Sequence, residues 1–212
     1  VLLIAGDAAE ALAWNERALE RFAEDDRLAI HRGRCLLALE RHEEAAAALT
    51  QVLDRVESDP TVEFEVLEQL GLVYVGMGRF DDAQGVLEAS VDAAREIGPA
   101  MPACPYIALG ELYRIKGDLQ GQIDAQIKAA DWEPHKASIQ ADAARLCHQV
   151  GASECALTYI DRAIALQPDP TFSELWERIL ECHKPGPYTN LRAHDTRHEI
   201  LCGLELEKKK AK

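Results

Sequence analysis

Apolar and polar residues alternate along this chain at the spacing of amphipathic α-helices. Between residues 26 and 170, Ala, Leu and Val recur every three or four positions, with Glu and Arg between them. This period places the apolar residues on one face of a helix. Breaks at Gly, Asp and Pro separate the helical segments. The pattern therefore predicts an all-α chain of short helices joined by turns.

One pair of helical segments occurs more than once along the chain. The stretch Leu70–Tyr74 has a near copy in Leu109–Tyr113, and both read Leu-Gly followed by Tyr three residues after the Gly. A further glycine, Gly78 or Gly117, follows each tyrosine after four residues. A repeated helix–turn–helix unit cannot bury its apolar face alone, so neighbouring units must stack. The repetition predicts an array of such units.

These residues resemble the tetratricopeptide repeat family, whose 34-residue unit reads W-x2-L-G-x2-Y, then A-x3-F, then A and P. The resemblance runs from the start of the chain to about Pro170. It implies a right-handed superhelical α-solenoid of helix–turn–helix repeats with a C-terminal capping helix. Small residues would let paired helices approach, and tyrosines would fill the gaps between them. The residues expected to pack the repeats are Gly71, Tyr74, Ala83, Gly110, Tyr113 and Ala156.

The phase of the repeat divides the chain into an array and a tail. We expect the array over residues 1–184 and a linker with a helical or flexible tail over 185–212. The array is expected to comprise a partial repeat at 1–25, repeats at 26–60, 64–97, 103–136 and 137–170, and a capping helix at 171–184. Asp59-Pro60 is expected to end a helix pair, because Pro cannot continue a helix. The first residues look like the end of a helix, so we expect the chain to be a piece of a longer protein.

In the family's geometry, the first helix of each repeat lines a concave groove. The residues expected to face this groove are Arg34, Glu65, Glu68, Gln69, Leu72, Glu111, Arg114, Asp142, Arg145 and His148. Arginines there could hold a peptide carboxylate by bidentate hydrogen bonds. The alternative is that they pair with groove acids such as Glu111 and Asp142 and only keep the wall soluble. The Lys/Asn set with which some family members clamp chaperone tails does not occupy the matching positions, which argues against that partner.

Charge and motif content exclude several classes of function. The formal net charge is −14, and an acidic chain repels a phosphate backbone, so we expect no nucleic-acid partner. The apolar runs are short and interrupted by charge, so no membrane insertion is expected. Common nucleotide-binding, hydrolase and zinc-protease motifs do not occur, and no enzyme activity, cofactor or metal is expected. The set Cys182, His194, His198 and Cys202 could form a tetrahedral zinc site, but its spacing matches no common zinc pattern.

The six cysteines indicate the redox state of the compartment in which the protein is found. None of them forms a C-x-x-C pair, and most lie among apolar residues of predicted helices. A free cysteine in such a place acts as a small hydrophobe. This favours a reducing compartment over a disulfide framework, and hence a cytoplasmic protein.

Together these features predict a protein–protein interaction scaffold or adaptor that binds a peptide or a partner helix in the groove. Two alternatives stay open. The chain could be the repeat region of a larger enzyme, where it positions a protein substrate. It could also be a structural repeat protein that self-associates through a stacking face at its N-terminal end.

Overall fold

A computed structural model describes residues 7–56 and 59–183. In these ranges the chain forms helices and no strand, which confirms the all-α expectation. The helices are α1 (Ala8–Leu19), α2 (Asp26–Ala38), α3 (His42–Leu53), α4 (Pro60–Gly76), α5 (Phe80–Ile97), α6 (Cys104–Lys116), α7 (Leu119–Trp132), α8 (Ala137–Gln149), α9 (Ser153–Leu166) and α10 (Pro170–His183). None of them is long and apolar enough to cross a membrane. The predicted tail at 185–212 lies outside the described residues.

The chain divides into two compact units. The N-terminal unit covers Val1–Ala143 and the C-terminal unit covers Ala144–Lys212. The division falls inside α8, so this helix contributes its first half to one unit and its second half to the other. The sequence pattern alone gives no sign of a division at this point.

Helix packing in the N-terminal unit follows a simple rule. Each helix from α1 to α6 packs against the next one along the chain. In addition, α2 packs against α4, and α4 packs against α6. Through their described residues, α3 does not contact α5, and α5 does not contact α7. The first helices of successive repeats therefore lie closer together than the second helices. We call the continuous row formed by α2, α4 and α6 the first-helix face, and clefts open between second helices on the opposite side.

An aliphatic core holds the first repeats of this unit together. Leu36 on α2, Leu49 and Val52 on α3, and Leu70 on α4 are all buried in one cluster. Each such side chain stabilises the fold by about 1.5–3 kcal/mol relative to an exposed position. These residues lie at the helical spacing from which the sequence analysis predicts the buried faces.

Glycines on two first helices allow a close approach of the second helix. A Cβ placed on Gly71 would lie only 2.4 Å from Cδ2 of Leu87, and one placed on Gly33 would lie 2.7 Å from Cγ of Leu49. Real side chains do not approach this closely, and both leucines are fully buried. The packing therefore requires glycine at these two positions, because any larger side chain would clash with the leucine opposite.

Gly110 occupies the same place in the next repeat but packs differently. The nearest atom to a Cβ there would be Cβ of Ala125 at 3.7 Å, which is an ordinary van der Waals contact. A methyl group at Gly110 would therefore fit, and the role of this glycine in packing the repeats stays a prediction. The difference from Gly71 comes from the residue opposite, because the fourth repeat carries Gln126 where the third carries Leu87.

The other residues expected to pack the repeats also have defined places. Ala83 and Ala156 are fully buried on second helices. Tyr74 is half-buried, with the Arg79 guanidinium 4.5 Å from its ring centroid. The ring of Tyr113 lies so close to α7 that a Cβ on Gly121 would be 2.8 Å from it.

One type of turn ends four first helices. One or two residues after the helix, φ is positive at Glu40 (57°), Gly78 (71°), Gly117 (74°) and Gly151 (77°). In the first of these turns Arg41 N donates to Leu36 O at 2.9 Å, which closes a Schellman motif. Glycine suits the left-handed region, whereas Glu40 adopts it with a side chain attached.

Two Asp-Pro pairs begin helices. The carboxylate of Asp59 accepts a hydrogen bond from Thr61 N at 2.9 Å, and that of Asp169 accepts one from Thr171 N at 2.8 Å. Asp satisfies a free N–H at the helix start, and Pro fits the first turn because it has no N–H to leave unsatisfied. The third repeat therefore begins at residue 60 instead of near 64. Asp169 caps the last helix in the same way.

Helix α10 covers the apolar side of α9 in the C-terminal unit. Ile160 on α9 and Ile179 on α10 are fully buried, and the two helices pack together. At their surface the Trp176 indole N–H donates to Oδ1 of Asp161 at 2.9 Å. This arrangement is that of a helix covering the end of a stack.

A disulfide links the last helix pair. It joins Cys147 on α8 to Cys155 on α9, with their Cα atoms 5.9 Å apart across the turn at Gly151. The expectation of free cysteines is wrong for this pair, because only the tight turn brings residues eight positions apart face to face. Of the others within the described ranges, Cys35, Cys104 and Cys182 are free.

Candidate functional site on the first-helix face

The residues predicted to line a groove all lie on first helices. Arg34 is on α2, Gln69 on α4, Glu111 and Arg114 on α6, and Asp142, Arg145 and His148 on α8. The last two belong to the C-terminal unit and the others to the N-terminal unit. The first-helix face of the N-terminal unit is therefore the surface on which a site can be described.

An ion pair joins the first two helices of this face. Nη2 of Arg34 on α2 lies 3.7 Å from Oε2 of Glu65 on α4, and both side chains are about one-third exposed. Partial exposure keeps such a pair weak, at roughly 0–1 kcal/mol. A ligand carboxylate could therefore replace Glu65 as the partner of Arg34 at little cost.

A half-buried carboxyl group joins the next two helices. Glu68 on α4 hydrogen-bonds with the thiol of Cys104 on α6, and Gln69 Nε2 donates to Glu68 Oε2 at 3.5 Å. Burial raises the pKa of the Glu68 carboxyl, and the hydrogen bonds offset part of that rise. Burial, and then the nearby charge of Glu68, also raises the pKa of the Cys104 thiol. Neither group is exposed, so this pair forms part of the floor of the face.

Two exposed apolar side chains lie next to that pair. Leu72 is one helical turn after Glu68, and Ile107 is one turn after Cys104. The helices α4 and α6 run in the same direction because each is the first helix of its repeat. The Glu68–Cys104 hydrogen bond sets the register of the two helices, from which we infer that Leu72 and Ile107 lie at the same level; their relative exposures are 37% and 41%. We call these two residues the apolar patch; Ile115 on α6 is exposed to the same extent.

The arginine beyond this patch is already paired. Nε of Arg114 donates to Oε2 of Glu111 at 2.8 Å, and a second hydrogen bond makes the contact bidentate. The hydrogen bond from Arg114 lowers the pKa of the Glu111 carboxyl. Both side chains are exposed. This is the alternative arrangement in which a groove arginine pairs with a neighbouring acid.

Gln69 does not face the groove as expected. Its relative exposure is only 7%, because α4 contacts helices on several sides, namely α2, α3, α5 and α6. On α8, Asp142 and Arg145 are exposed and His148 is half-buried. Asp142 and Arg145 each have an interaction partner, so neither offers a free charge.

Cys104 and Ile107 are the residues of this face that sequence reasoning missed. The signal was present, because residues 39 positions apart in the third and fourth repeats occupy equivalent places. Cys104 corresponds to Glu65, and Ile107 corresponds to Glu68. Transferring the groove positions of the third repeat to the fourth at this spacing would have identified both residues.

The described part of the chain holds no group of three or more potential metal ligands. Three members of the zinc set that the sequence analysis considered, His194, His198 and Cys202, lie outside the described residues. Among the described residues, the candidate site therefore consists of a surface and not of a metal centre.

Comparison with known proteins places these features in a family. A family model described as tetratricopeptide repeat matches residues 1–60. A solved structure described as a thermophilic TPR protein of Thermus thermophilus aligns with a TM-score of 0.59 at 19% identity, covering 84% of this chain and 91% of that one. YrrB, described as a TPR protein with an unusual peptide-binding site, aligns with a TM-score of 0.51 at 19% identity, covering 81% and 84%. At these identities the structures show the fold, an all-α helical-repeat solenoid.

A curated relative extends the comparison to a named complex. The BBSome complex member BBS4 of Bos taurus is 24% identical over 135 residues, which are 64% of this chain and 24% of that protein. The chain thus spans about a quarter of the length of that relative. The repeated helix pairs, the family-model match over residues 1–60 and the shared fold support assignment of the chain to the tetratricopeptide repeat family.

Proposed function

We propose that the first-helix face of the N-terminal unit binds a peptide or a helix of a partner protein. The fold supports a protein–protein interaction scaffold in general, and arrays of this family are typically non-catalytic. The observation that carries the finer proposal is the apolar patch of Leu72 and Ile107. Exposed apolar side chains that lie together on a charged surface are a feature of binding sites.

The residues around the patch suggest the chemistry of the ligand. An apolar side chain of the ligand would cover Leu72 and Ile107. The ion pairs Arg34–Glu65 and Glu111–Arg114 flank the patch along the helices. Because exposed ion pairs contribute little stability, they can exchange partners with charged groups of the ligand. A short segment with a central apolar residue between charged residues fits this surface.

Similarity to other proteins is consistent with a protein partner. YrrB is described as having a peptide-binding site, and BBS4 as a member of a complex. These descriptions concern those proteins, and at 19% and 24% identity their ligands do not transfer to this chain residue by residue.

The experiment is a selection of displayed peptides on the immobilised chain. A double variant, Leu72→Asp with Ile107→Asp, tests the patch, and Leu166→Asp is the control because Leu166 is a similarly exposed leucine (44%) on a second helix of the other unit. We expect enriched peptides with a central apolar residue that bind the double variant at least tenfold more weakly and the control variant unchanged. A tenfold loss corresponds to about 1.4 kcal/mol. Equal binding to all three proteins would remove the first-helix face as the site.

Self-association through α1 is a second candidate, which one observation favours. Trp14 and Phe22 have relative exposures of 57% and 61% near the start of the described chain. The contacts with Glu10 and Arg17 leave most of the Trp14 ring uncovered. Light scattering over a range of concentrations tests this, and we expect Trp14→Glu with Phe22→Glu to reduce the mass of any oligomer. A wild-type chain that stays monomeric at every concentration refutes it.

A further inference from the structure

A cavity of about 320 Å³ lies between the second helices α5 and α7, with α6 as its floor. It is on the side opposite the first-helix face, so it is separate from the proposed peptide site. Its origin is the packing rule of the unit, because α5 and α7 do not contact each other through their described residues. We call this cavity the α5–α7 cleft.

Two tyrosines of α6 form the floor of the cleft. Tyr106 is buried and Tyr113 is half-buried. Gly121 and Ala125 of α7 also line the cleft, and the Tyr113 ring packs so closely on Gly121 that a Cβ there would lie 2.8 Å from it. Of the two rings, that of Tyr113 is the more exposed, and a cation placed over its face would be attracted by it.

Carboxylates stand on both walls. Glu88 on α5 accepts a hydrogen bond from Gln84 Nε2 at 2.9 Å, and Asp124 on α7 accepts one from Gln120 Nε2 at 2.8 Å. Both donors are neutral amides, so these hydrogen bonds leave the negative charges uncompensated. Each carboxylate also keeps further acceptor positions.

The basic residues of the cleft do not cancel this charge. Nη1 of Arg95 is engaged by Oδ1 of Asp92 at 2.9 Å. Lys128 is exposed on α7. The cleft therefore has three acids and two bases in its lining, with a net charge of −1.

The hydroxyl group of Tyr113 lies in this negative field. Burial is the main cause that raises the pKa of the Tyr113 hydroxyl, and the charges of Glu88, Asp118 and Asp124 raise it further. Lys116 acts in the opposite direction, but its ammonium is held by Asp81 at 3.1 Å. A cation entering the cleft would meet a potential of the favourable sign.

We propose that the α5–α7 cleft binds an arginine side chain of a partner protein. The guanidinium stacks on the tyrosine floor, and its N–H groups donate to Glu88 and Asp124 on the two walls. A planar cation with five N–H donors suits this combination of ring faces and opposed carboxylates better than a compact ammonium does. The net charge of −14 also draws basic partners towards the chain.

The test uses N-acetyl-arginine amide as the probe and N-acetyl-citrulline amide as its neutral isostere. Amide chemical shifts of the ¹⁵N-labelled chain are followed while each probe is added. We expect saturable shifts of cleft residues with arginine at a Kd of roughly a few millimolar, the scale of a single side-chain contact. Citrulline should bind at least tenfold more weakly. Equal shifts with the two probes, or no saturable shift with arginine, would overturn the proposal.

Variants then locate the charge that is responsible. Glu88→Gln with Asp124→Asn should weaken arginine binding at least tenfold, whereas Lys128→Gln should strengthen it, because it removes a competing positive charge. A control, Glu174→Gln with Glu177→Gln, makes the same change in net charge on exposed positions of α10. If this control weakens binding as much as the cleft variant, only the overall charge attracts the probe and the proposed site is wrong. Unfolding midpoints and the spectra without probe verify that every variant is folded.

Discussion

For the two equivalent glycines of the third and fourth repeats, the same substitution to alanine is predicted to have opposite effects on stability. Gly71→Ala places a methyl group 2.4 Å from Cδ2 and 2.5 Å from Cγ of Leu87, whereas Gly110→Ala places it 3.7 Å from the nearest atom. Sequence alone treats the two positions as identical, since both are the glycine of the Leu-Gly motif. The difference lies entirely in packing.

The expected changes in the free energy of unfolding follow from two opposing effects. Replacing Gly by Ala inside a helix stabilises by about 1 kcal/mol through helix propensity. Overpacking a filled core costs about 1–3 kcal/mol, and Leu87 is fully buried, so it cannot move into solvent. We expect Gly110→Ala to stabilise by up to about 1 kcal/mol. Gly71→Ala should be neutral to destabilising, and less stable than Gly110→Ala by about 1–3 kcal/mol.

Urea unfolding followed by helical circular dichroism measures this difference. Because repeat arrays need not unfold in one step, hydrogen exchange of α4 to α7 should accompany it and assign the change to a repeat. For a chain of this size, 1 kcal/mol corresponds to about 2–4 °C in Tm. Gly71→Ala at or above the stability of Gly110→Ala would refute the packing argument.

A double variant checks the cause. Leu87→Ala alone should cost about 2–5 kcal/mol by leaving a cavity. In the Gly71→Ala background it should cost less, because the same change also removes the clash. Additive effects of the two substitutions would mean that the methyl group does not meet Leu87.

Three further predictions concern a turn, a buried acid and the disulfide. Glu40→Gly should raise the free energy of unfolding by about 1 kcal/mol, since Glu40 has a left-handed φ of 57°; a lower urea midpoint would contradict this. Burial raises the pKa of Glu68, so its contribution to stability is full below the unfolded value of about 4.3 and is lost as pH rises through the folded pKa. Glu68→Gln should therefore raise the free energy of unfolding at about pH 7 and leave it unchanged at about pH 4. An equal change at both pH values would show that burial of the ionised carboxylate is not the cause. Reduction of the Cys147–Cys155 disulfide should cost the C-terminal unit about 2–3 kcal/mol by releasing a short closed loop; unchanged hydrogen exchange in α9 after reduction would show that the bond does not constrain it.

Local signals in the sequence were enough for the helix pairs and their turns. The helical period identifies the buried faces, because each side chain's direction on a helix depends only on its position along that helix. Gly78, Gly117 and Gly151 mark turns for a similarly local reason, the need for positive φ. The Asp-Pro pairs show the limit of such signals, since a proline that cannot continue one helix can equally begin the next.

Contacts between repeats were not accessible in this way. Glu68 meets Cys104 only because α4 and α6 pack against each other, and the same packing places Leu72 and Ile107 at one level of the two helices. The pairing of Arg34 with Glu65 likewise depends on the distance between α2 and α4. These contacts decide which groove charges are engaged and where an apolar patch is exposed.

The sequence by itself determined the fold class, the repeat phase and most turns, because these depend on side-chain periodicity and backbone conformation within a few residues. Only the tertiary structure decided that Gly71 is crowded and Gly110 is not, that Gln69 is buried, and that a cleft opens between α5 and α7. The physical reason is that packing depends on the volume and charge of residues brought together from different helices. A repeated motif fixes where those helices pair, but the residues outside the motif fix how closely they meet.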